Sequence, residues 1–372
     1  MTSDTIHMVS AKPRTHLISE MTILKIIALV LLIFVHSDLV TAYPKVMNPM
    51  QWFLLSTFFF TGGYLAYSSF HKRGKSLKCF LKSKIRTLYI PFLIAAIAYL
   101  ILEAAMGARV EPLQVFSHIS MLNIFAHLNA IYNWSTLWFI PFLLLFMTIT
   151  CFLEKYIKST KKQILSISTL LIATTLLWLY NSPLMLDSLF SQYLLVFVFG
   201  FYISKFKIYE KMMNSYKTTL IAAPLALFFA ADLSSLFNCN TVFSALQSQL
   251  YFNCRSIILT LSLVILALQI IRRIKIPVTG LGKQIADHSA VIYLSEPFIS
   301  FVILTYIFGQ PQSFHVGSLM FYLYQAVRIG ILLIIIPSGF MALSYWKNSS
   351  YPDLITKTKS MLKNILNRTP DS

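Results

Sequence analysis

The first long apolar stretch, Met21–Ala42, reads Met-Thr-Ile-Leu-Lys-Ile-Ile-Ala-Leu-Val-Leu-Leu-Ile-Phe-Val-His-Ser-Asp-Leu-Val-Thr-Ala. It is long and apolar enough to cross a bilayer as one helix. Lys25 stands near its start, and His36 lies deep inside it. A helix turns by about 100° per residue, so His36 lies on almost the same helix face as Lys25. At a rise of about 1.5 Å per residue, the two residues lie roughly 16 Å apart along the helix axis.

The shared stripe of Lys25 and His36 suggests a channel for a long, anionic, reactive ligand. A cation would stand at its mouth and an imidazole deep inside it. The alternative is that Lys25 anchors the helix at the interface and that His36 is a packed polar residue. Ionisable groups inside a span are costly and usually functional, which favours a functional His36.

The composition of the whole chain agrees with this first stretch. Of the 372 residues 57% are hydrophobic and only 12% are charged, which excludes an ordinary soluble domain of this size. Apolar runs of span length recur from end to end, so we expect an all-α, polytopic membrane protein. In a soluble protein the net charge of +18 would suggest nucleic acid. Here the basic residues lie in alternate loops, so the positive-inside rule explains them and we expect no nucleic acid partner.

Ten spans are predicted, with both termini in the cytoplasm. One side of the membrane receives the basic clusters, whereas the other receives only Lys45, Arg109 and Arg255. So strong a bias indicates an even number of spans. The predicted spans are 22–41, 50–69, 88–106, 135–153, 163–180, 189–205, 218–237, 256–272, 288–308 and 316–346.

The chain therefore divides into a cytoplasmic N-terminal segment (1–21), a membrane domain (22–346) and a basic cytoplasmic tail (347–372). No cleavable signal peptide is recognised, so the first span is expected to serve as the targeting signal. Apolar residues alternate with lysines in the tail, which predicts an amphipathic helix lying on anionic membrane lipids.

The longest predicted outer loop, residues 107–134, holds polar and aromatic side chains rather than charges. Such a loop suits contact with a sugar, and it equally suits packing at the interface, which we favour. Cys239 and Cys254 share another outer loop, where an oxidising compartment would allow a disulfide. Zinc-ligand spacing, a Walker motif and a dinucleotide fingerprint are absent from the sequence, and we expect no metal. The polar and aromatic residues of the longest loop are His118, Asn123, His127, Asn129, Asn133 and Trp134.

Three further features are candidates for chemistry. The segment Phe58–Gly63 ends in adjacent glycines, which let a backbone or a ligand approach a span closely. The loop Lys82–Pro91 clusters cations at the cytoplasmic start of the third span, where they would bind phosphates or simply obey the positive-inside rule. Glu296 and Arg328 are predicted inside the last two spans. A buried carboxylate and guanidinium there either pair with each other or face a reaction cavity.

These features resemble the motifs of the acyltransferase-3 family of membrane O-acyltransferases. That family pairs an Arg with a His in its first span, and here Lys25 and His36 stand at those positions. Its basic approach to the third span, followed by a proline, is similar to Lys84, Arg86 and Pro91. The first position therefore carries Lys in place of Arg.

Three more family elements follow in the same order along the chain. Phe-Phe-x-x-Ser-Gly is similar to Phe59–Gly62, shortened and with Thr for Ser, and Leu-Trp-Phe-Leu is similar to Leu137–Ile140. Tyr-Leu-x-His-Pro is similar to Tyr293–Pro297, where Glu296 stands in place of the histidine. The resemblance extends over roughly residues 19 to 345.

The resemblance implies an O-acetyltransferase that moves acetyl from cytoplasmic acetyl-CoA to a hydroxyl of a surface polysaccharide or glycan precursor. The CoA phosphates are expected at Lys25, Lys84 and Arg86. His36 would then lie near the thioester and act as general base for the acceptor hydroxyl. A covalent acetyl-histidine is the alternative route.

The resemblance also bears on the remaining candidate residues and on location. Glu296 is expected in the catalytic group, although a histidine role at its position does not carry over. Trp138 and Arg328 are assigned to substrate binding. The expected location is the bacterial inner membrane.

Two other function classes compete with the enzyme. A transporter or flippase of lipid-linked sugars would suit ten spans with a few buried charges, but the inverted internal repeat that would support it is not evident. A non-catalytic scaffold would not need to bear the cost of His36, Glu296 and Arg328 inside the membrane.

The predicted topology can be tested with reporter fusions. Fusions after Lys78, Lys161, Lys211 and Lys283 should report the cytoplasm, because each follows a basic cluster. Fusions near Asn123 and Asn240 should report the outside. A cytoplasmic signal at Asn123 would contradict the ten-span arrangement.

Overall fold

The structure is a computed structural model that describes most of the membrane domain. Within the described residues every regular element is a helix and no strand occurs, as the apolar runs predict. The predicted tail and Cys239 lie outside these residues. The described residues are 13–36, 43–72, 76–105, 109–125, 135–179, 189–230, 242–278, 280–309 and 315–342, with Leu39, Gly74 and Gly107 in addition.

Thirteen helices are numbered here in chain order. They are α1 (Pro13–Val35), α2 (Pro44–Lys72), α3 (Leu77–Ala105), α4 (Pro112–Ile119), α5 (Phe139–Tyr156), α6 (Thr160–Leu179), α7 (Leu189–Phe206), α8 (Tyr209–Asn214), α9 (Tyr216–Ala230), α10 (Val242–Ile274), α11 (Gly280–Asp287), α12 (Ser289–Ile307) and α13 (Leu319–Ala342). Short 3-10 turns lie at Leu122–Ile124 and Ser135–Trp138.

Several of these helices have the length and composition of membrane spans. Among the described residues five qualify: α3, α5, the part of α10 from Asn253, α12 and α13. The apolar helices α7 and α9 are shorter. Every predicted span overlaps one helix, which supports a multi-pass membrane protein. The count of ten spans and the side of each terminus remain predictions.

The first helix is displaced from its predicted position. It begins at Pro13 and ends at Val35, so Lys25 lies in its middle and His36 directly follows its last residue. A proline favours the first turn of a helix, because its φ is already helical and its missing N–H is not needed there. The His36 N–H still donates to the Leu32 carbonyl at 2.9 Å, so the helical register from Lys25 to His36 is kept.

The basic segment before Pro91 is helical, whereas the sequence predicted a loop there. In α3 the turn Ile85–Tyr89 is a π-turn, in which the Ile90 N–H donates to the Ile85 carbonyl. Pro91 has no N–H to donate, so the regular ladder is interrupted beside it, and π-turns commonly occur at such interruptions. The helix thereby carries Lys84 continuously into the membrane domain.

The helices α2 and α7 form the most extensive helix contact, through two glycines. A methyl group on Gly63 would fall on the carbonyl oxygen of Phe197, and one on Gly200 would fall on the carbonyl oxygen of Phe60. The two backbones therefore touch directly, as small residues allow between membrane helices. Phe59 packs beside this crossing and stacks on Tyr193 with ring centroids 4.8 Å apart.

Two segments that were predicted as outer loops contain helical structure. The stretch 107–134, predicted as the longest outer loop, contains α4. The N–H of Glu111, which precedes this helix, donates to the side-chain amide oxygen of Gln114 at 2.9 Å. Cys254 lies within α10 rather than in a loop and is an exposed free thiol. Arg255 beside it donates to the carbonyls of Phe229 and Ala230 at the end of α9.

The backbone contact between α2 and α7 predicts that alanine is destabilising at some glycines and tolerated at others. Gly63→Ala and Gly200→Ala should each destabilise the fold by about 1–3 kcal/mol or more, because the added methyl meets backbone that cannot move aside. The measurement is thermal unfolding in detergent. Gly330→Ala is the control, since no atom lies within 4 Å of a methyl there. Equal stability of all three variants would contradict the direct backbone contact.

Candidate active site

His36 makes the hydrogen bond around which the candidate active site is built. Its Nδ1 lies 2.6 Å from Oε2 of Glu296, which is contributed by α12. The Glu296 side chain is 1% exposed, whereas 26% of the His36 side chain is accessible. Because a carboxylate only accepts, the proton of a neutral imidazole lies on Nδ1. Nε2 is then the basic nitrogen.

Arg328 holds the other side of the same carboxylate. Its side chain is fully buried, and its Nη2 donates to Oε1 of Glu296. Nη1 donates to the amide oxygen of Gln325 at 3.0 Å, and Ser300 donates to Oε1 of Glu296 at 2.8 Å. The negative charge of the carboxylate is thus matched by a guanidinium and three hydrogen bonds, as a buried charge requires.

The backbone of α12 positions Glu296 through Pro297. A proline cannot donate to the carbonyl of the residue four positions earlier, which here is Tyr293. The next carbonyl, that of Leu294, accepts from the hydroxyl of Tyr99 on α3. The helix is therefore tied to α3 beside the residue that carries the carboxylate.

His36 borders a small cavity, which we call the histidine cavity. Its volume is about 50 Å³. Its walls are mostly apolar, apart from His36 itself and the amide of Gln51. The residues around it are Leu32, Val35, His36, Gln51, Leu54, Leu55, Trp138 and Tyr293.

A larger cavity, the cationic cavity, lies beside it and contains Lys25, Lys84 and Asp287. Its volume is about 210 Å³. Asp287 and Lys84 are the charged neighbours of Lys25. The ammonium of Lys84 also lies 5.4 Å from the ring centre of Phe80. Two cations and one carboxylate leave the cavity with an excess of positive charge, which favours an anionic ligand.

The structure brings most of the predicted site residues together in two groups. His36, Glu296 and Trp138 meet at or behind the histidine cavity, while Lys25 and Lys84 meet at the cationic cavity. Two residues stand apart from these cavities. Arg86 is exposed and borders neither cavity. Arg328, predicted to bind substrate, is buried behind Glu296 and contacts the carboxylate instead.

Two residues that border the cavities were not predicted as site residues. Asp287 stands at the end of α11, and Tyr293 lies between the two cavities. The available signal for Tyr293 was its spacing of three positions from Ala290, which places both residues on one face of α12. The contact of His36 with Glu296 joins positions 260 residues apart, so no local pattern could indicate it.

The surroundings of His118, in the segment predicted as the longest outer loop, support packing rather than sugar contact. This residue is 2% exposed, and its Nδ1 lies 2.8 Å from the Gln114 carbonyl. Burial lowers the pKa of the imidazole, so His118 is neutral at neutral pH. Asn123 is also buried, and the other polar residues of this loop lie outside the described residues. Within the described part of the chain no three metal-binding side chains lie close enough to hold an ion.

Comparison with known proteins identifies the family. The model of the acyltransferase-3 family, described as an acyltransferase domain, matches residues 18–344. No curated protein and no solved structure matches the chain. The match includes α1 from its second turn, both cavities and the His36–Glu296–Arg328 group, and it confirms the predicted family. This chain therefore belongs to the acyltransferase-3 family and is a multi-pass membrane acyltransferase.

Proposed function

We propose that this protein moves an acetyl group from cytoplasmic acetyl-CoA to a hydroxyl of a cell-surface polysaccharide or glycan precursor, in the bacterial inner membrane. One observation carries the proposal: the imidazole of His36 is oriented by a buried carboxylate and opens on a small cavity beside a cationic one. The acceptor class and the membrane rest on the family resemblance. The family also favours the enzyme over a transporter or flippase.

His36 would act as the general base. The bond from Nδ1 to Glu296 fixes the ring of His36, which borders the cavity, and leaves Nε2 available as the base. As the acceptor oxygen attacks the thioester carbon, Nε2 takes the hydroxyl proton and the ring becomes positively charged. Glu296 offsets that charge at 2.6 Å, which is how a buried carboxylate supports a histidine base.

The proton and the leaving group are both accounted for. The new C–O bond forms, the C–S bond breaks, and the imidazolium returns its proton to the departing sulfur. Arg328 does not touch the reacting atoms in this scheme. It keeps Glu296 ionised and in place while the charge on His36 changes.

The size of the histidine cavity supports a short acyl group. At about 50 Å³, the cavity suits a fragment as small as acetyl better than a long acyl chain. Leu54, Leu55 and Trp138 form walls that a longer chain would have to displace.

The cationic cavity would hold the phosphates of CoA. Lys25 and Lys84 contribute from different helices, so their charges converge only in the folded protein. An ammonium is a strong point charge for phosphate. Lys25 and His36 lie roughly 16 Å apart along α1 at the helical rise, so the thin pantetheine arm would run between the two cavities.

The proposal predicts that His36→Asn abolishes transfer. Asparagine keeps a similar size and hydrogen bonding but cannot take a proton, so the rate should fall by about 10²–10⁴-fold. The measurement is transfer of labelled acetyl from acetyl-CoA to envelope glycan, together with mass spectrometry for the loss of acetyl from surface glycans in cells.

His71→Asn is the matched control for this variant. His71 lies at the C-terminal end of α2, 3.6 Å from Glu154, and borders neither cavity. It should transfer acetyl at the wild-type rate. If correctly inserted His36→Asn protein, at equal abundance, acetylates near the wild-type rate, His36 is structural and the proposed mechanism is wrong.

The cationic cavity predicts a selective loss of donor affinity. Lys25→Ala and Lys84→Ala should raise the KM for acetyl-CoA and leave the KM for the acceptor unchanged. Lys84→Glu should be worse than alanine, because it repels the phosphates. Arg86→Ala serves as the internal comparison, since Arg86 lies outside the cavity. An unchanged KM for acetyl-CoA in both lysine variants would show that the basic cluster does not bind the donor and only follows the positive-inside rule.

A further inference from the structure

Tyr293 lies where the two cavities meet. Of the described residues it alone borders both the cationic cavity and the histidine cavity. A thioester that extends from one cavity into the other must therefore pass its ring. The position places Tyr293 on the path that leads to the atoms that react beside His36.

The ring of Tyr293 is held firmly while its hydroxyl is left without a partner. The residue is 2% exposed, and its ring centre lies 4.9 Å from that of Phe139 and 6.3 Å from that of Phe58. The hydroxyl makes no hydrogen bond to any part of the chain that the structure describes. Because Tyr293 borders both cavities, a ligand in either of them can contact this side chain.

An unpaired hydroxyl in such a place is unusual. Buried tyrosines normally find a hydrogen-bond partner for the O–H, because burying it unpaired costs free energy. Tyr99, on the neighbouring helix α3, shows the usual arrangement, since its hydroxyl donates to the Leu294 carbonyl. The Tyr293 hydroxyl is therefore free to serve a ligand in the cavity.

The histidine cavity, of about 50 Å³, is bordered by both His36 and Tyr293. A small carbonyl group bound there can therefore lie against both side chains. One side chain accepts a proton, and the other can donate a hydrogen bond.

We propose that Tyr293 is a catalytic residue that donates a hydrogen bond to the thioester carbonyl oxygen. The inference rests on the proposed acetyl transfer. As the acceptor oxygen bonds to the carbonyl carbon, the electron pair of the C=O moves to its oxygen, which Tyr293 stabilises. The pair returns when the C–S bond breaks, and His36 hands its proton to the sulfur. Tyr293 keeps its own proton throughout, since a phenol has an ordinary pKa of about 10.

The chemistry matches what acyl transfer needs. Negative charge develops on the carbonyl oxygen in the transition state, and a fixed donor in a dry site stabilises it without reorganising. The aromatic contacts with Phe58 and Phe139 fix the ring before the substrate arrives. Removing one such donor typically lowers kcat by about 10²–10³-fold.

Tyr293→Phe is the direct test, because it removes one oxygen and keeps the ring contacts. Transfer is measured with the purified full chain in lipid vesicles, with labelled acetyl-CoA as donor and envelope glycan as acceptor. We expect kcat to fall by about 10²–10³-fold while the KM for acetyl-CoA is unchanged. Tyr193→Phe is the matched control: Tyr193 is equally buried, stacks on Trp138 and borders neither cavity, so kcat should be retained.

Several outcomes would overturn the inference. Wild-type kcat in Tyr293→Phe would show that the residue is only an aromatic wall. A raised donor KM with kcat retained would show that the hydroxyl binds the ground state and not the transition state. Gln51 also borders the histidine cavity, so a loss of kcat in Gln51→Met but not in Tyr293→Phe would assign the donor to Gln51.

The same assay separates this inference from the function on which it rests. Acetyl transfer by the wild type that is lost in His36→Asn supports the proposed function. Full activity of Tyr293→Phe in that setting overturns the role of Tyr293 alone. Absence of transfer by the wild type would overturn both.

Discussion

The carboxylate of Glu296 is the constraint on which the site depends. It lies inside the membrane domain almost without exposure, where an isolated negative charge would be prohibitively costly. Arg328 and Ser300 hold one oxygen, which leaves the other for His36. The end of α1 is thereby fixed against α12, and the two cavities acquire their shared walls. A change at any one of these charges would leave another buried and unpaired.

The sequence was most informative where a property is local. Apolar runs predicted the positions of the helices, because span length follows from bilayer thickness. The cost of charge in a membrane singled out His36, Glu296 and Arg328 as residues that needed an explanation. Helical spacing placed Lys25 on the His36 stripe, and Lys25 does border the cavity next to the histidine cavity.

Sequence reasoning failed where a property depends on how distant helices pack. Arg86 and Lys84 are two positions apart, which on a helix turns their side chains to different faces, and only Lys84 reaches the cavity. Treating that segment as a loop concealed the difference. The bond between His36 and Glu296 is set by tertiary packing, and Arg328 proved to be a partner of the carboxylate rather than a wall of a cavity.

The pairing of Glu296 with Arg328 also bears on how the chain enters the membrane. A charged residue at the centre of a span costs about 2.5–3.5 kcal/mol on insertion scales. These two residues lie on consecutive helices, α12 and α13, so the acid and its counter-ion are synthesised close together. Inserted as one hairpin, they can neutralise each other before the bundle closes. His36 is made much earlier, and the complete site forms only when α12 and α13 dock against α1.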